Sequence, residues 1–244
     1  LSHPCIIRVF GFSEGDKNHH PSMILSLEPT SVDKAIQDKI LTNDQKNQII
    51  IEIVLGMRYI HKCKFMHRDL KPSNILLSKK MHVRICDFGL AKEEDLDTTQ
   101  SKGVGTLRFM APELFEDDND SKSSSNSIKY TNKVDVYSFG IVLFYIITEK
   151  YPPFILKNVV TGVSPKLEGP IVNWVRELAL RCISFSPNDR PSFAEIFQIM
   201  KDHDYDMFND TKSDKLTALQ KKMKMEIEKR ILKVEAFEYQ HQND

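Results

Sequence analysis

A short polar segment carries three side chains whose types suit one kind of chemistry. Asp69, Lys71 and Asn74 all lie in the run His67-Arg68-Asp69-Leu70-Lys71-Pro72-Ser73-Asn74. An aspartate and an asparagine at this spacing suit phosphoryl transfer, because one carboxylate can receive and aim a hydroxyl while a second oxygen ligand holds a metal ion. Lys71 can reach the charge that builds on the transferred phosphoryl group. The segment therefore predicts a site for moving a phosphoryl group.

A further carboxylate, Asp87, follows Asn74 by thirteen residues and stands directly before Phe88 and Gly89. A carboxylate beside a flexible glycine can bind a hard cation. If the intervening residues form a hairpin, Asp87 lies beside Asn74 and both can share one Mg²⁺ ion. The two segments together predict a magnesium site next to the phosphoryl-transfer residues.

Regular elements on both sides of these residues would hold them in place. Apolar residues recur at three-to-four spacing through residues 43–62, which predicts a long helix leading into the segment at His67. Strand-like runs at 74–77 and 83–86, joined by residues 78–81, predict the hairpin. Further strands are predicted at 4–12 and 22–28, and further helices at 131–149, 171–183 and 192–200.

The two polar segments match, residue for residue, the catalytic loop and the metal-binding Asp-Phe-Gly motif of eukaryotic protein kinases. Three more motifs follow in the order typical of that family: Met110-Ala111-Pro112-Glu113, Asp135-Val136-Tyr137-Ser138-Phe139-Gly140 and Arg190. The chain thus resembles the eukaryotic protein kinase catalytic domain. This resemblance implies an α+β, protein kinase-like fold, mainly the α-helical large lobe with remnant strands of the small lobe. By the same likeness, Asp135 buttresses the catalytic loop and Glu113 forms a buried ion pair with Arg190.

The resemblance also implies a role for each matched side chain. Asp69 would orient the substrate hydroxyl and take its proton, and Lys71 would steady the γ-phosphate of ATP. Asn74 and Asp87 would hold Mg²⁺. Structural roles fall to residues that pack or pair around the site: His67, Arg68, Phe88, Gly89, Glu113, Asp135 and Arg190.

The loop that follows the Asp-Phe-Gly motif, the activation loop by this likeness, carries several hydroxyl residues: Thr98, Thr99, Ser101 and Thr106. Phosphate on one of the first three would add about two negative charges. Arg68 could pair with this phosphate and so order the loop. The alternative is that these residues are ordinary solvated hydroxyls.

Two features of the motifs bear on specificity. Lys71 and the pair Gly105-Thr106 resemble the serine/threonine-specific pattern. Residues 105–113 and 135–140 are most similar to the tyrosine-kinase-like group, which despite its name mostly phosphorylates serine and threonine. The resemblance therefore implies a Ser/Thr protein kinase in signalling, with ATP and Mg²⁺ as cofactors and with proteins bearing serine or threonine as substrates.

Three nucleotide-binding parts of the family have no counterpart in the sequence. They are a Gly-rich loop, a strand lysine that pairs with the phosphates, and a helix glutamate that holds this lysine. Leu1-Ser2-His3-Pro4 resembles the turn after that helix, so we expect these parts upstream of residue 1. This chain alone is then expected to bind ATP weakly and to transfer phosphate poorly. The other interpretation is a non-catalytic, pseudokinase-like binding or scaffold module.

Composition limits the other classes of function. Lys and Arg total 34, as do Asp and Glu, so the net charge is zero and no overall field favours nucleic acid. The 4 cysteines form no C-x-x-C pair, which argues against a zinc site and favours a reducing compartment. The longest apolar stretch, residues 139–147, is too short for a membrane span. The expected location is the cytosol.

The kinase domain is predicted to occupy residues 1–202, with the small lobe in about 1–28 and the large lobe in about 29–202. Residues 203–244 predict a charged amphipathic helical tail. One face of this tail carries apolar residues at helical spacing: Leu216, Leu219, Met223, Ile227, Ile231 and Val234. Such a helix either docks on the domain or associates with a partner or a second copy through residues 212–238.

Overall fold

The computed structural model describes residues 1–15, 20–87, 92–93, 107–114, 130–151, 171–208 and 218–240, with side chains described in all of these ranges but 92–93 and 218–224. The helices, in chain order, are α1 (Val32–Gln37), α2 (Asn43–Lys62), α3 (Lys133–Thr148), α4 (Asn173–Cys182), α5 (Phe193–Asp202) and α6 (Ala218–Gln240). The strands are β1 (Val9–Ser13), β2 (Ser22–Leu25), β3 (Thr30–Ser31), β4 (Phe65–Met66), β5 (Ile75–Leu77), β6 (Val83–Ile85) and β7 (Lys92–Glu93).

The described chain has many more helical than strand residues, and the strands form three small antiparallel sheets, so the predicted α+β class is confirmed. β5 and β6 form the predicted hairpin, with Ile75 opposite Ile85, and β3 pairs with the outer edge of β5. Residues 5–7, predicted as part of a strand over 4–12, instead make a parallel bridge from Ile6 to Ile85. They belong with the hairpin, and the separate strand β1 begins only at Val9.

The β1–β2 pair exposes apolar side chains. Phe10 and Phe12 are 59% and 72% exposed. Met23 and Ile24 are neighbours on β2, so they point to opposite faces, and both are more than half exposed. This pair of strands therefore stands apart from the core that positions the polar segment.

α2 lies behind the polar segment and is specified by its own sequence. It begins with a capping box, in which Thr42 Oγ1 accepts from the Gln45 N–H and the Gln45 side chain accepts from the Thr42 N–H. The apolar residues at three-to-four spacing, Ile49 and Ile53 among them, are fully buried. Burial of each such side chain stabilises the fold by about 1.5–3 kcal/mol. The helix ends at Lys62, where a turn and β4 lead into His67.

α3 is apolar on all sides and crosses the interior, with its residues from Val134 to Ile147 buried. A glycine at position 140 lets α4 come close: a Cβ on Gly140 would lie 2.6 Å from Ile183 Cγ2 and 2.8 Å from Cys182 Cβ. The first turn of this buried helix lies next to the polar segment. None of the described helices combines the length and apolar character that a membrane crossing requires.

The C-terminal helix α6 docks on α2, which is one of the two arrangements predicted for the tail. Ile231 and Val234 are buried, and Ile227 packs at the edge of the same core. Leu216 and the side chains of Leu219 and Met223 lie outside the described part of the chain. Association through residues 212–238 stays a prediction.

Candidate active site

A buried carboxylate, Asp135 in the first turn of α3, holds the polar segment from below. Its Oδ2 accepts a hydrogen bond from the His67 N–H at 2.9 Å, and its Oδ1 accepts from the Arg68 N–H at 2.7 Å. His61, near the end of α2, places Nε2 2.8 Å from the same Oδ2. These bonds fix the segment to both helices, in the way that the resemblance implies for Asp135.

The charge of Asp135 contributes to stability. Burial alone would raise the pKa of Asp135, but the hydrogen bond and charge of His61 and the contributions of His67 outweigh burial and lower it. A carboxyl with a lowered pKa in the folded state adds stability that is fully present above its unfolded pKa, about 3.9. That stability is lost as the pH falls through the lower, folded pKa.

We expect Asp135→Asn to lower the free energy of unfolding at pH 7 by about 2 kcal/mol, because charge-assisted hydrogen bonds are replaced. The difference in free energy of unfolding between the variant and the wild type should become smaller below about pH 4. There the wild type begins to lose the stability that comes from the lowered pKa of Asp135. Urea unfolding at a series of pH values measures both effects. A difference that stays constant into the acid range would contradict the role of the charge.

Asp69 is 7% exposed and contacts both other predicted catalytic residues. Its Oδ2 accepts from Lys71 Nζ at 2.6 Å and from Asn74 Nδ2 at 2.9 Å. Asn74 Nδ2 also donates to the main-chain oxygen of Asp69 at 2.9 Å. A 3₁₀ turn over Pro72–Asn74 folds the asparagine back toward Asp69. The structure thus brings Asp69, Lys71 and Asn74 into direct contact.

The second carboxylate oxygen of Asp69, Oδ1, is buried and has no hydrogen-bond donor among the described residues. Buried polar atoms are nearly always paired, since an unpaired one costs free energy. An exception within a candidate site marks an oxygen that can accept from a donor outside the described residues. Oδ1 is therefore the oxygen that an incoming hydroxyl group could satisfy.

His67 and Arg68 shape the loop. His67 Nδ1 accepts from the Asp69 N–H at 3.3 Å, so the ring proton sits on Nε2, which donates to the Cys86 main-chain oxygen at 3.0 Å. Burial lowers the pKa of His67, which favours this neutral ring. Arg68 has a left-handed φ of 67°, uncommon for a residue with a side chain, and its N–H bond to Asp135 holds it there.

Asp87 lies at the same end of the β5–β6 hairpin as Asn74, as the sequence predicts. The link is Cys86, whose N–H donates to the Asn74 main-chain oxygen at 3.0 Å. The Asp87 side chain is exposed, and its residue has a left-handed φ of 66°. The Asn74 side chain donates both of its bonds to Asp69 through the amide nitrogen, so its oxygen is the end suited to a cation.

A carboxylate and an amide oxygen fit Mg²⁺, which takes oxygen ligands and usually keeps several waters or phosphate oxygens. Asp87 and Asn74 would supply these two ligands. Among the described residues, no group of three or more His, Cys, Asp or Glu side chains forms a metal site made by protein alone.

Several predicted site residues lie outside the described part of the chain: Phe88, Gly89, Thr98, Thr99, Ser101 and Thr106. Pairing of Arg68 with a phosphorylated activation loop thus stays a prediction. The Arg68 guanidinium is partly buried, and this burial lowers its pKa.

Arg190 is fully buried, and all five of its guanidinium N–H groups are used. Nη1 and Nη2 donate to Glu113 Oε1 at 2.7 Å and Oε2 at 2.8 Å. The remaining three donors reach main-chain oxygens of Ser184 at 2.8 Å, Phe185 at 3.1 Å and Lys133 at 3.1 Å. The predicted contact between Glu113 and Arg190 is present, and its two parallel bonds make it a strong pair.

Sequence reasoning missed His61. It lies in the last turn of the helix that precedes the polar segment, and this position was the available signal. Its partner Asp135 is 74 residues away along the chain, so no local pattern connects the two.

Comparison with known proteins places the chain in a family. The protein kinase domain family matches residues 1–205. A probable serine/threonine-protein kinase of Dictyostelium discoideum is 35% identical over 159 residues, which cover 63% of this chain and 36% of that protein. The cysteine-rich receptor-like protein kinase 27 of Arabidopsis thaliana is 30% identical over 232 residues, covering 82% of this chain and 34% of that protein.

A third relative, the RGS domain-containing serine/threonine-protein kinase A of Dictyostelium discoideum, is 35% identical over 171 residues, covering 63% of this chain and 14% of that protein. The chain thus spans about a third or less of the length of these relatives. The family match contains every predicted site residue and stops before α6. The chain therefore belongs to the protein kinase domain family.

Proposed function

We propose that this chain is the catalytic part of a Ser/Thr protein kinase of the tyrosine-kinase-like type, which transfers the γ-phosphoryl group of ATP to hydroxyl groups of proteins. The observation that carries the proposal is the buried Asp69 Oδ1 without a donor, beside an Oδ2 that Lys71 and Asn74 hold. This is the arrangement that a residue aiming a hydroxyl group needs.

In this proposal the substrate hydroxyl donates a hydrogen bond to Asp69 Oδ1 and later passes its proton to that oxygen. Lys71 and Asn74 keep the carboxylate from turning, because both bond to Oδ2. Lys71 also places a positive charge near the transferring group. Asn74 and Asp87 would hold Mg²⁺, which when bound with ATP neutralises charge on the phosphates.

Two observations support serine and threonine as acceptors. Lys71 stands two residues after Asp69, as in the serine/threonine-specific pattern. The relatives from Dictyostelium discoideum named above are described as serine/threonine-protein kinases.

The test is phosphoryl transfer by the native protein that contains this domain, to three peptides that differ only in a Ser, Thr or Tyr acceptor. We expect Mg²⁺-dependent transfer to serine and threonine, with the tyrosine peptide slower by about tenfold or more, a difference of at least 1.4 kcal/mol in the barrier. Asp87→Asn is the control, since it should abolish transfer with little loss of fold. Equal rates on tyrosine would contradict the specificity, and no transfer to any peptide would favour a non-catalytic binding module.

A further inference from the structure

The helix α6 lies outside the family match, yet one of its arginines reaches into the kinase domain. Arg230 Nε lies 3.0 Å from Glu52 Oε1 on α2, and Glu52 is only 1% exposed. The same guanidinium donates through Nη2 to the main-chain oxygen of Pro4 at 3.4 Å. One side chain of the tail thus contacts two separate segments of the domain.

Glu52 connects Arg230 with strand β6. Its Oε2 accepts from the Val83 N–H, the first residue of β6, at 2.7 Å. Burial would raise the pKa of Glu52, but His82, Arg230 and the Val83 N–H outweigh burial and lower it. The buried Glu52 carboxylate therefore contacts both Arg230 of the tail helix and the first residue of β6.

Pro4 makes the second connection to β6. Its main-chain oxygen also accepts from Nη1 of Arg84, the middle residue of the strand. The main-chain oxygen of the next residue, Cys5, accepts from the Ile85 N–H at 2.8 Å, and the Ile85 main-chain oxygen accepts from the Ile7 N–H at 2.9 Å. Val83 and Arg84 thus bond to Glu52 and Pro4, the two residues that Arg230 contacts. Ile85 bonds to Cys5, the chain neighbour of Pro4.

β6 leads directly into the candidate metal site, since Asp87 follows Ile85 by two residues. We propose that Arg230 is a positioning residue: through Glu52 and Pro4 it fixes β6, and β6 fixes the Asp87 carboxylate for Mg²⁺. The inference rests on the proposed function, because it takes Asp87 as a metal ligand. It gives the tail helix a part in phosphoryl transfer without any contact with substrate.

Loss of Arg230 would leave Glu52 with two neutral donors, the Gln48 side-chain amide and the Val83 N–H, and with His82, which is charged only when protonated. An incompletely paired buried carboxylate is costly, so Glu52 would turn toward water or draw water in. Either change weakens its bond to Val83. Helix α6 itself should stay docked, because Ile231 and Val234 remain buried and Arg58 still lies 3.5 Å from Glu238.

The test compares Arg230→Met with Lys233→Met in the full chain. Both variants remove one positive charge from α6, but Lys233 is exposed. Arg230→Lys is a milder variant for use if the methionine variant does not fold, because a lysine keeps the charge but reaches only one of the two acceptors. The measurements are hydrogen exchange of the Val83 and Ile85 amides, and the affinity for Mn²⁺ as a paramagnetic substitute for Mg²⁺. Asp87→Asn serves as the reference for a lost metal ligand.

We expect Arg230→Met to speed exchange of both β6 amides by about tenfold, the size of one lost charge-assisted hydrogen bond. Mn²⁺ affinity should fall by about tenfold, as for other residues that orient metal ligands. Lys233→Met should change neither. The inference is overturned if β6 exchange stays at the wild-type rate, or if exchange rises while Mn²⁺ affinity is kept. If wild type and Asp87→Asn bind Mn²⁺ equally, the metal site itself fails, and with it the proposed function.

Discussion

Replacing Arg190 by methionine is expected to lower the free energy of unfolding by about 3–5 kcal/mol, the range for removing one partner of a buried ion pair. Methionine keeps much of the apolar stem but none of the five donors that Arg190 supplies. Glu113, with 14% of its side chain exposed, would keep a charge with little water to solvate it. Three main-chain oxygens would also lose the hydrogen bond from Arg190. Urea unfolding followed by far-UV circular dichroism measures the loss.

Arg181→Met is the matched control, since it makes the same chemical change at an exposed position of α4. We expect its effect to stay within about 0.5 kcal/mol. The double variant Glu113→Leu with Arg190→Met should recover part of the loss, because it removes the unpaired charge together with its partner. Equal stability of the Arg190 and Arg181 variants would show that the pair contributes little.

Asp69→Asn is expected to slow phosphoryl transfer to a serine peptide by about 10²- to 10⁴-fold, the usual contribution of a positioned general base. An asparagine can still accept from Lys71 and Asn74 through its oxygen. Its amide nitrogen would stand where the unpaired Oδ1 stands, and it cannot take a proton from a hydroxyl. The rate constant of transfer, measured in the native protein with saturating ATP and Mg²⁺, tests the expectation.

Asp202→Asn, the same change at an exposed position in the last turn of α5, should leave the rate unchanged. The melting temperature and the affinity for Mg²⁺-ATP separate loss of chemistry from loss of fold, and Asp69→Asn should keep both near the wild-type values. A variant that transfers phosphate at the wild-type rate would remove Asp69 from the catalytic role.

Much of the fold could be predicted because its signals are local. The repeat of apolar residues through α2 and the short strand runs around residues 78–81 each lie within one element, so periodicity was enough. Contacts of Asp69 with Lys71 and Asn74 are equally local, since they span no more than five residues. Residues 5–7 were predicted to form one strand with residues up to 12, but they bridge to Ile85 instead, because an apolar run does not say which strand it will join.

The parts that the sequence could not predict depend on long-range packing. Asp135 was expected to support the catalytic loop through the family likeness, but its bond with His61 required the actual approach of α2 and α3. The unpaired Asp69 Oδ1 could not be predicted either, because it depends on which donors arrive at each oxygen. For the tail, the apolar face was clear, but the docking surface includes charges such as Glu52 that lie far away in sequence.

The docked tail helix also bears on how the chain folds. Arg230 and Pro4 are 226 residues apart in sequence, and Arg230 and Glu52 are 178 apart. Contacts between residues so far apart in sequence close long loops and form slowly. During synthesis, α2 and the β5–β6 hairpin emerge long before their arginine partner. Glu52 is therefore synthesised before Arg230 and lacks this partner at first. We expect the contact between α6 and the domain to form late in folding.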